Sequence, residues 1–306
     1  LLKEDGVKIL ICGGTGLIGR TVCRVFVDAG HKVTILTRKF VSGENINPAY
    51  VTWDGVTLGE WTSAVDRADG VINLAGENIG TGRWTVERIN RIRQSRIDAG
   101  AILARAIAFS GHKPEFFIQA SAIGAYGVDD EVTFTETSPR GSDSLAEICQ
   151  HWENSTVAVE EAGIRRIITR IGIVLDKKEG ALARMALPFR YFVGGPIGSG
   201  RQWLSWIHLE DVAGSMLYLA AHKECSGIYN LAAPHPYRNA DFGRILAKAM
   251  GRPFWMPVPA FLLKAALGEM STLVLNGQQV APERLVNAGY RYKYPELEDA
   301  LRAIYS

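Results

Sequence analysis

An α/β fold, with a doubly wound parallel sheet and a smaller C-terminal α/β lobe, is predicted from three observations. Apolar strand-like runs alternate with helical patterns through residues 1–178. A glycine-punctuated turn joins the first run to the first helix. Beyond Leu175 the texture shifts to glycine and proline, marking residues 179–306 as the smaller, substrate-side lobe. The runs are Val7 to Cys12, Val33 to Thr37, Val51 to Trp53, Gly70 to Leu74, Phe116 to Ala120 and Ile164 to Val174. Such alternation implies a parallel sheet covered on both faces, with ligands beyond the carboxyl ends of its strands.

The first run leads directly into Gly13-Gly14-Thr15-Gly16-Leu17-Ile18-Gly19. Three glycines three apart let one take a conformation closed to other residues, one admit a ligand to the backbone, and one allow close helix–sheet packing. The helix from Leu17 to Ala29 then presents its N-terminus to an anion, and Gly30 precedes the second strand. This is a Rossmann-type βαβ unit, and it predicts a dinucleotide. The second strand ends in Thr37-Arg38-Lys39 with no acid. A carboxylate there would accept from the ribose of NAD, whereas a guanidinium meets the 2′-phosphate of NADP with paired hydrogen bonds, so NADP(H) is the expected cofactor.

Bulk composition narrows the partners. The 306 residues are 47% hydrophobic and 22% charged with a net charge of +2, which suits a soluble globular protein and gives no broad basic field for nucleic acid or membranes. No apolar run reaches about 18 residues, the length of a spanning helix. A small-molecule substrate is the expected partner. Cys12, Cys23, Cys149 and Cys225 lack metal-ligand or C-x-x-C spacing, so they read as reduced structural thiols, with no metal site. They point to the cytoplasm or another reducing compartment such as an organelle matrix. Because the chain starts at Leu1, a trimmed leader is compatible with it.

Two long helices are expected, Val86 to Ser110 and Ser144 to Ala162, from apolar positions that return every three or four residues. Gly194 to Gly200 has no strand leading into it and no following lysine, so it reads as a substrate-side loop rather than a second phosphate cradle. Trp203, Trp206, Phe254 and Trp255 suit either the lobe core or an aromatic pocket.

Cys12 to Gly19, Asn73-Leu74-Ala75-Gly76, Ser121 with Tyr126-Gly127, and Trp206 to Ala213 occur in an order that resembles the extended short-chain dehydrogenase/reductase superfamily. The stretch Asn73 to Glu77, the 194–200 loop and the tail 239–306 resemble an atypical subgroup called epimerase family proteins, whose C-terminal segment is a domain of unknown function. The resemblance implies that Thr15 to Ile18 line the pyrophosphate and that Thr37 and Arg38 meet the adenosine phosphate. It places Leu74 and Ala75 at the adenine-side ribose, Arg96 at the phosphates or ribose, and the Val174 backbone near the nicotinamide. Leu74 and Ala75 equally suit the core, and Arg96 equally suits a solvated face shared with Arg88, Arg91 and Arg93. Fold analogy adds a homodimer through the two long helices.

Members of the superfamily pair a serine after the fifth strand with a Y-x-x-x-K helix, because a phenol needs a neighbouring cation before it exchanges protons near neutrality. Ser121 fits the serine. With Glu153 as anchor, Leu145 and Cys149 stand where tyrosine and lysine belong, and neither replaces them. Two functions follow. One is an NADP(H)-dependent oxidoreductase or nucleotide-sugar epimerase-like enzyme with Ser121 as clamp and Tyr126, Glu77 or water exchanging the proton. The other is a non-catalytic NADP(H)-binding sensor or regulatory protein. Each catalytic candidate has a plainer reading: Tyr126 as a packing aromatic, Glu77 as a salt-bridging carboxylate. His208, also considered as a proton carrier, reads more simply as a helix anchor.

Overall fold

Ile9 and Ile11 enter one apolar cluster while Leu10 and Cys12 enter another, as the two-residue period of a strand requires when both faces are covered. These residues form β1 (Lys8–Cys12) of a computed structural model that describes residues 6–39, 47–80 and 82–306. Its partners are β2 (Lys32–Thr37), β3 (Ala49–Thr52), β4 (Gly70–Asn73), β5 (Phe116–Ala122), β6 (Arg165–Ile171) and β7 (Gly227–Leu231). They make a seven-stranded parallel sheet in the order 7-6-5-4-1-2-3. The chain reverses its winding between β1 and β4, and that switch point opens a crevice at the carboxyl edge.

Helices cover both faces. Val22 and Phe26 of α1 (Leu17–Asp28) share a cluster with Val212, Met216 and Leu219, which belong to a later helix, Leu209–Ala221. On the other face α2 (Val86–Phe109) buries Ala99, Ile102, Leu103 and Ile107 against Leu10, Val71 and Phe117. Thr85 caps α2 by accepting from the Arg88 N–H, and Glu87 in the first turn suits the helix dipole. A third cluster around Phe189, Leu204, Trp206, Phe242, Leu246 and Leu301 is the lobe core. No described helix is long and apolar enough to cross a membrane.

Several expected boundaries shift for physical reasons. The run Ile164 to Val174 is two strands, because the chain turns at Gly172, where an added Cβ would lie 2.6 Å from the Ser205 carbonyl oxygen. The following strand, Ile173–Leu175, leaves the sheet and pairs with Trp206–His208. The expected helix from Ser144 to Ala162 is α3 (Ser144–Asn154) followed by a short helix, Val157–Glu161. Between them the Ser155 and Thr156 hydroxyls donate to the carbonyls of Trp152 and Glu153, a local alternative to helix continuation. Past residue 179 the chain supplies more than a lobe, since Leu209–Ala221 packs on α1 and Gly227–Leu231 is the sheet's seventh strand.

The C-terminal segment is fastened to this body by buried polar groups. The Asp211 carboxylate accepts from the Tyr290 hydroxyl and from the N–H groups of Lys293 and Tyr294 at 3.0, 2.7 and 2.9 Å. Strand Gln278–Val280 pairs with Asp129–Phe134 above the end of β5.

Candidate functional site

The β1–α1 turn is built around its glycines. Gly13 has φ +79°, and an added Cβ there would lie 2.7 Å from the Leu74 carbonyl group. At Gly19 a Cβ would lie 2.1 Å from the Gly13 carbonyl oxygen. Gly16 differs, with its nearest neighbour at 3.5 Å. It caps α1 from an extended conformation, with no side-chain hydrogen bond and no acid in the first turn. Thr15 and Gly16 are exposed, Leu17 and Ile18 partly so. The helix therefore ends in uncapped N–H groups at the crevice, which is the arrangement an anion needs.

Around this turn the expected cofactor residues gather. Thr37 ends β2 buried, and Arg38 is exposed just beyond it. The Leu74 N–H donates to the Cys12 carbonyl at 2.9 Å, and the Ala75 N–H donates to Asn73 Oδ1 at 3.1 Å, so both residues stand at the β4 end. Arg96 does not share the solvated face expected for its neighbours. Its Nη1 donates to the carbonyls of Glu77 and Ile92 at 3.0 and 2.9 Å, and its guanidinium lies over Trp152. Burial lowers its pKa to about 10, which still leaves it charged at neutrality. Val174 lies in the strand that leaves the sheet after β6. From there the chain folds back over the turn: an added Cβ at Gly180 would lie 3.3 Å from Leu17, and Arg20 pairs with Glu179 at 2.6 Å.

The three expected catalytic groups are each engaged within the protein. Ser121 lies in β5 itself, opposite Arg170 of β6, and donates to Glu153 Oε1 at 2.7 Å. Glu153 also accepts from Arg170 at 2.9 and 3.1 Å and from Arg140 at 2.6 Å. Burial pushes its carboxyl upward, but the Arg170 bonds and charge, helped by Ser121 and Arg140, hold it below the ordinary range. Tyr126 is buried, stacked on Phe134 and covered by the Arg170 guanidinium, and its hydroxyl donates to Asn230 Oδ1 at 2.7 Å. Burial raises its pKa, so the geometry favours packing over proton transfer. The Glu77 carboxylate accepts from Arg88, as a salt-bridging acid does.

Leu145 and Cys149 flank the turn after β5, within 3.6 and 3.9 Å of where a Gly124 Cβ would lie. Burial pushes the Cys149 thiol up to about 11. His208 caps Leu209–Ala221 by accepting the Glu210 N–H on Nδ1 at 3.1 Å, the anchoring role its position suggested. The aromatic set divides: Trp206 is core, Phe254 stacks on Phe189, Arg238 covers Trp203, and Trp255 is exposed. The 194–200 loop is held along residues 255–258 by main-chain bonds. By sequence Glu153 only anchors the helix comparison and carries no role. The available signal was an acid on an apolar helix face opposite a strand bearing Arg170. No group of three or more His, Cys, Asp or Glu that could hold a metal ion occurs among the described residues.

A seven-stranded parallel sheet with a glycine turn at its switch point, and a serine at the fifth strand end, defines a Rossmann-fold protein of short-chain dehydrogenase/reductase type. Residues 9–232 match the NAD dependent epimerase/dehydratase family, and residues 258–304 match a domain of unknown function, DUF1731. The chain belongs to the NAD dependent epimerase/dehydratase family. It is 41% identical to epimerase family protein YfhF of Bacillus subtilis over 299 residues, covering 96% of this chain and 97% of YfhF. It is 38% identical to the epimerase family protein SDR39U1 homolog, chloroplastic, of Arabidopsis thaliana, covering 99% of this chain and 88% of the relative. The crystal structure of human epimerase family protein SDR39U1 with NADPH superposes with a TM-score of 0.88 at 32% identity, covering 97% of this chain and 99% of the human one.

Proposed function

We propose that this protein binds NADP(H) across the β1–β4 crevice and acts as an oxidoreductase or nucleotide-sugar epimerase-like enzyme on a small molecule held between sheet and lobe. The observation that carries the reading is Gly16, the open glycine between two compressed ones at an uncapped helix N-terminus. The NADPH in the human relative's structure supports it. In this reading the main chain of Thr15 to Ile18 holds the pyrophosphate, Thr37 and Arg38 the 2′-phosphate, Leu74 and Ala75 the adenine-side ribose, and Arg96 a phosphate or ribose. The Val174 backbone lies toward the nicotinamide. The bound cofactor supplies or takes up hydride. Ser121 and Tyr126 then lie buried beneath the cleft, Glu77 stays paired with Arg88, and proton exchange falls to water. Calorimetry with NADPH and NADH tests the cofactor: NADPH binds more tightly, and tighter NADH binding overturns the choice.

One observation favours a second reading. Ser121, Tyr126 and Glu77 are all bonded to other side chains, which suits a protein that holds NADP(H) without turnover. Binding to the folded state alone raises stability by about 2.7 kcal/mol at 100 times Kd. A large melting shift with NADPH, and no NADPH consumption across a broad carbonyl and nucleotide-sugar screen, selects this alternative.

A further inference from the structure

Residues 187–198 and 252–262 run together. The N–H groups of Trp255 and Met256 donate to the Gly194 carbonyl at 2.9 and 3.1 Å, and the Gly198 N–H donates to the Val258 carbonyl at 2.8 Å. Backbone lies so close to backbone that a Cβ on Gly195 would sit 2.0 Å from the Met256 carbonyl oxygen. The flanking side chains remain outside. Tyr191, Phe192, Trp255, Met256, Phe261 and Leu262 are exposed, from 45% at Met256 to 72% at Tyr191. An aromatic and aliphatic surface of this kind, left in water, marks a contact site.

Phe192 adds a second, independent mark. The short helix Leu187–Arg190 ends in a Schellman arrangement, with the Val193 N–H donating to the Pro188 carbonyl and the Phe192 N–H to the Phe189 carbonyl, both at 3.0 Å. Its left-handed position, ordinarily glycine, is filled by Phe192 at φ +62°. Among described residues other than glycine it is the one with positive φ. A bulky residue there is strained, and Phe192 is 54% exposed, so core burial does not repay the strain. The Trp255 indole N–H donates to the Phe192 carbonyl at 2.8 Å and helps fix the conformation.

Charge selects the occupant. Residues 180–204 and 250–268 contain Arg184, Arg190, Arg201, Arg252 and Lys264, with Glu179 and Glu269 standing just outside them, a local excess that the net charge of +2 hides. All five are exposed, and the Arg252 guanidinium lies 4.5 Å over the Phe192 ring. A second copy paired through this face would set the same cations against one another. Anionic lipid headgroups would instead neutralise them, while aromatic rings settle at headgroup depth.

We propose that this face docks the protein peripherally on an anionic phospholipid surface. Flotation of the full chain with phosphatidylcholine vesicles, with and without phosphatidylglycerol, tests it. The chain floats with the anionic vesicles and stays behind with the neutral ones. Arg190→Glu with Lys264→Glu weakens partition by about fivefold or more per cation, and Trp255→Ser with Phe261→Ser abolishes flotation while the melting temperature holds. Phe192→Gly relieves the strained cap, so it melts higher than the parent yet floats less. No flotation with anionic vesicles, or flotation unchanged in these variants, overturns the proposal. So does a wild-type dimer that ignores lipid and that Trp255→Ser with Phe261→Ser splits into monomers.

Discussion

Ser121 donates a hydrogen bond to Glu153 Oε1 across 2.7 Å, and the same carboxylate oxygen accepts from Arg170 Nε. The serine at the fifth strand end is thus tied to a buried ion pair linking α3 to β6. Among the described residues the Arg170 Nη1 finds no oxygen partner, and the guanidinium rests on the Tyr126 ring. Tyr126 in turn bonds to Asn230 on β7, so one polar chain runs beneath the cleft from β5 to the sheet edge.

Removing the acid at the centre of that chain leaves Arg170 charged and buried beside an amide. Glu153→Gln is expected to cost about 3–5 kcal/mol of stability. Ser121→Ala removes one hydrogen bond and costs about 1–2 kcal/mol. Urea unfolding of both variants checks the order. Equal costs would show that Glu153 is not held as an ion.

The pH dependence follows from the same carboxylate. The folded protein holds Glu153 below its ordinary pKa, so its contribution is full above about pH 4.3 and is lost as pH falls through the lower folded value. Glu136 works the other way. Burial raises it, so its contribution is present below about pH 4.3 and lost as pH rises through the higher folded value. Stability measured from pH 3 to 6 should flatten at the acid end in Glu153→Gln and at the upper end in Glu136→Gln.

The β1–α1 turn separates structure from binding by position. Gly19→Ala forces a Cβ onto the Gly13 carbonyl and is expected to cost more than about 2 kcal/mol, with Gly13→Ala similar because its φ is positive. Gly16→Ala meets nothing closer than 3.5 Å, so it melts within a few degrees of the parent but loses NADPH affinity. Thermal melts with and without NADPH read both effects, and full affinity in Gly16→Ala would remove the turn from the binding site.

Much of this was legible in the chain, and the exceptions share a cause. Local patterns revealed β1, α1, α2 and the glycine turn because period and turn chemistry lie within a few residues of each other. The missed strand Gly227–Leu231 has too short an apolar pattern to stand out, and only pairing with Arg165–Ile171 makes it part of the sheet. Arg96 was ambiguous for the same reason. Whether a cation on a long helix meets water depends on Trp152 and the Glu77 carbonyl, which come from other segments. Glu153 and Asp211 lie at junctions between distant segments, so no spacing rule exposes them.

Arg38 provides the sharpest test of cofactor choice. It stands exposed at the end of β2, and charge-assisted hydrogen bonds to a phosphate contribute about 1.5–3 kcal/mol. Arg38→Ala should weaken NADPH binding by about 10- to 100-fold and leave NADH binding nearly unchanged. Isothermal titration with both nucleotides separates this from a general loss of fold, which would lower both affinities.

Restoring the missing tyrosine and lysine should fail, and the reason is Arg96. Cys149 lies close enough to Arg96 for the two to interact electrostatically, and Cys149 is buried and Arg96 largely withdrawn from water. Leu145→Tyr with Cys149→Lys would place an ammonium beside an already desolvated guanidinium, with Glu153 committed to Arg170 and Arg140. Two like charges in one apolar site push the lysine toward its neutral form, which cannot lower the phenol's pKa. The double variant is expected to lose about 2 kcal/mol or more and gain no alcohol oxidation with NADP+. Denaturant titration and a turnover assay check both halves, and a stable, active double variant would show that Arg96 leaves room for a second cation.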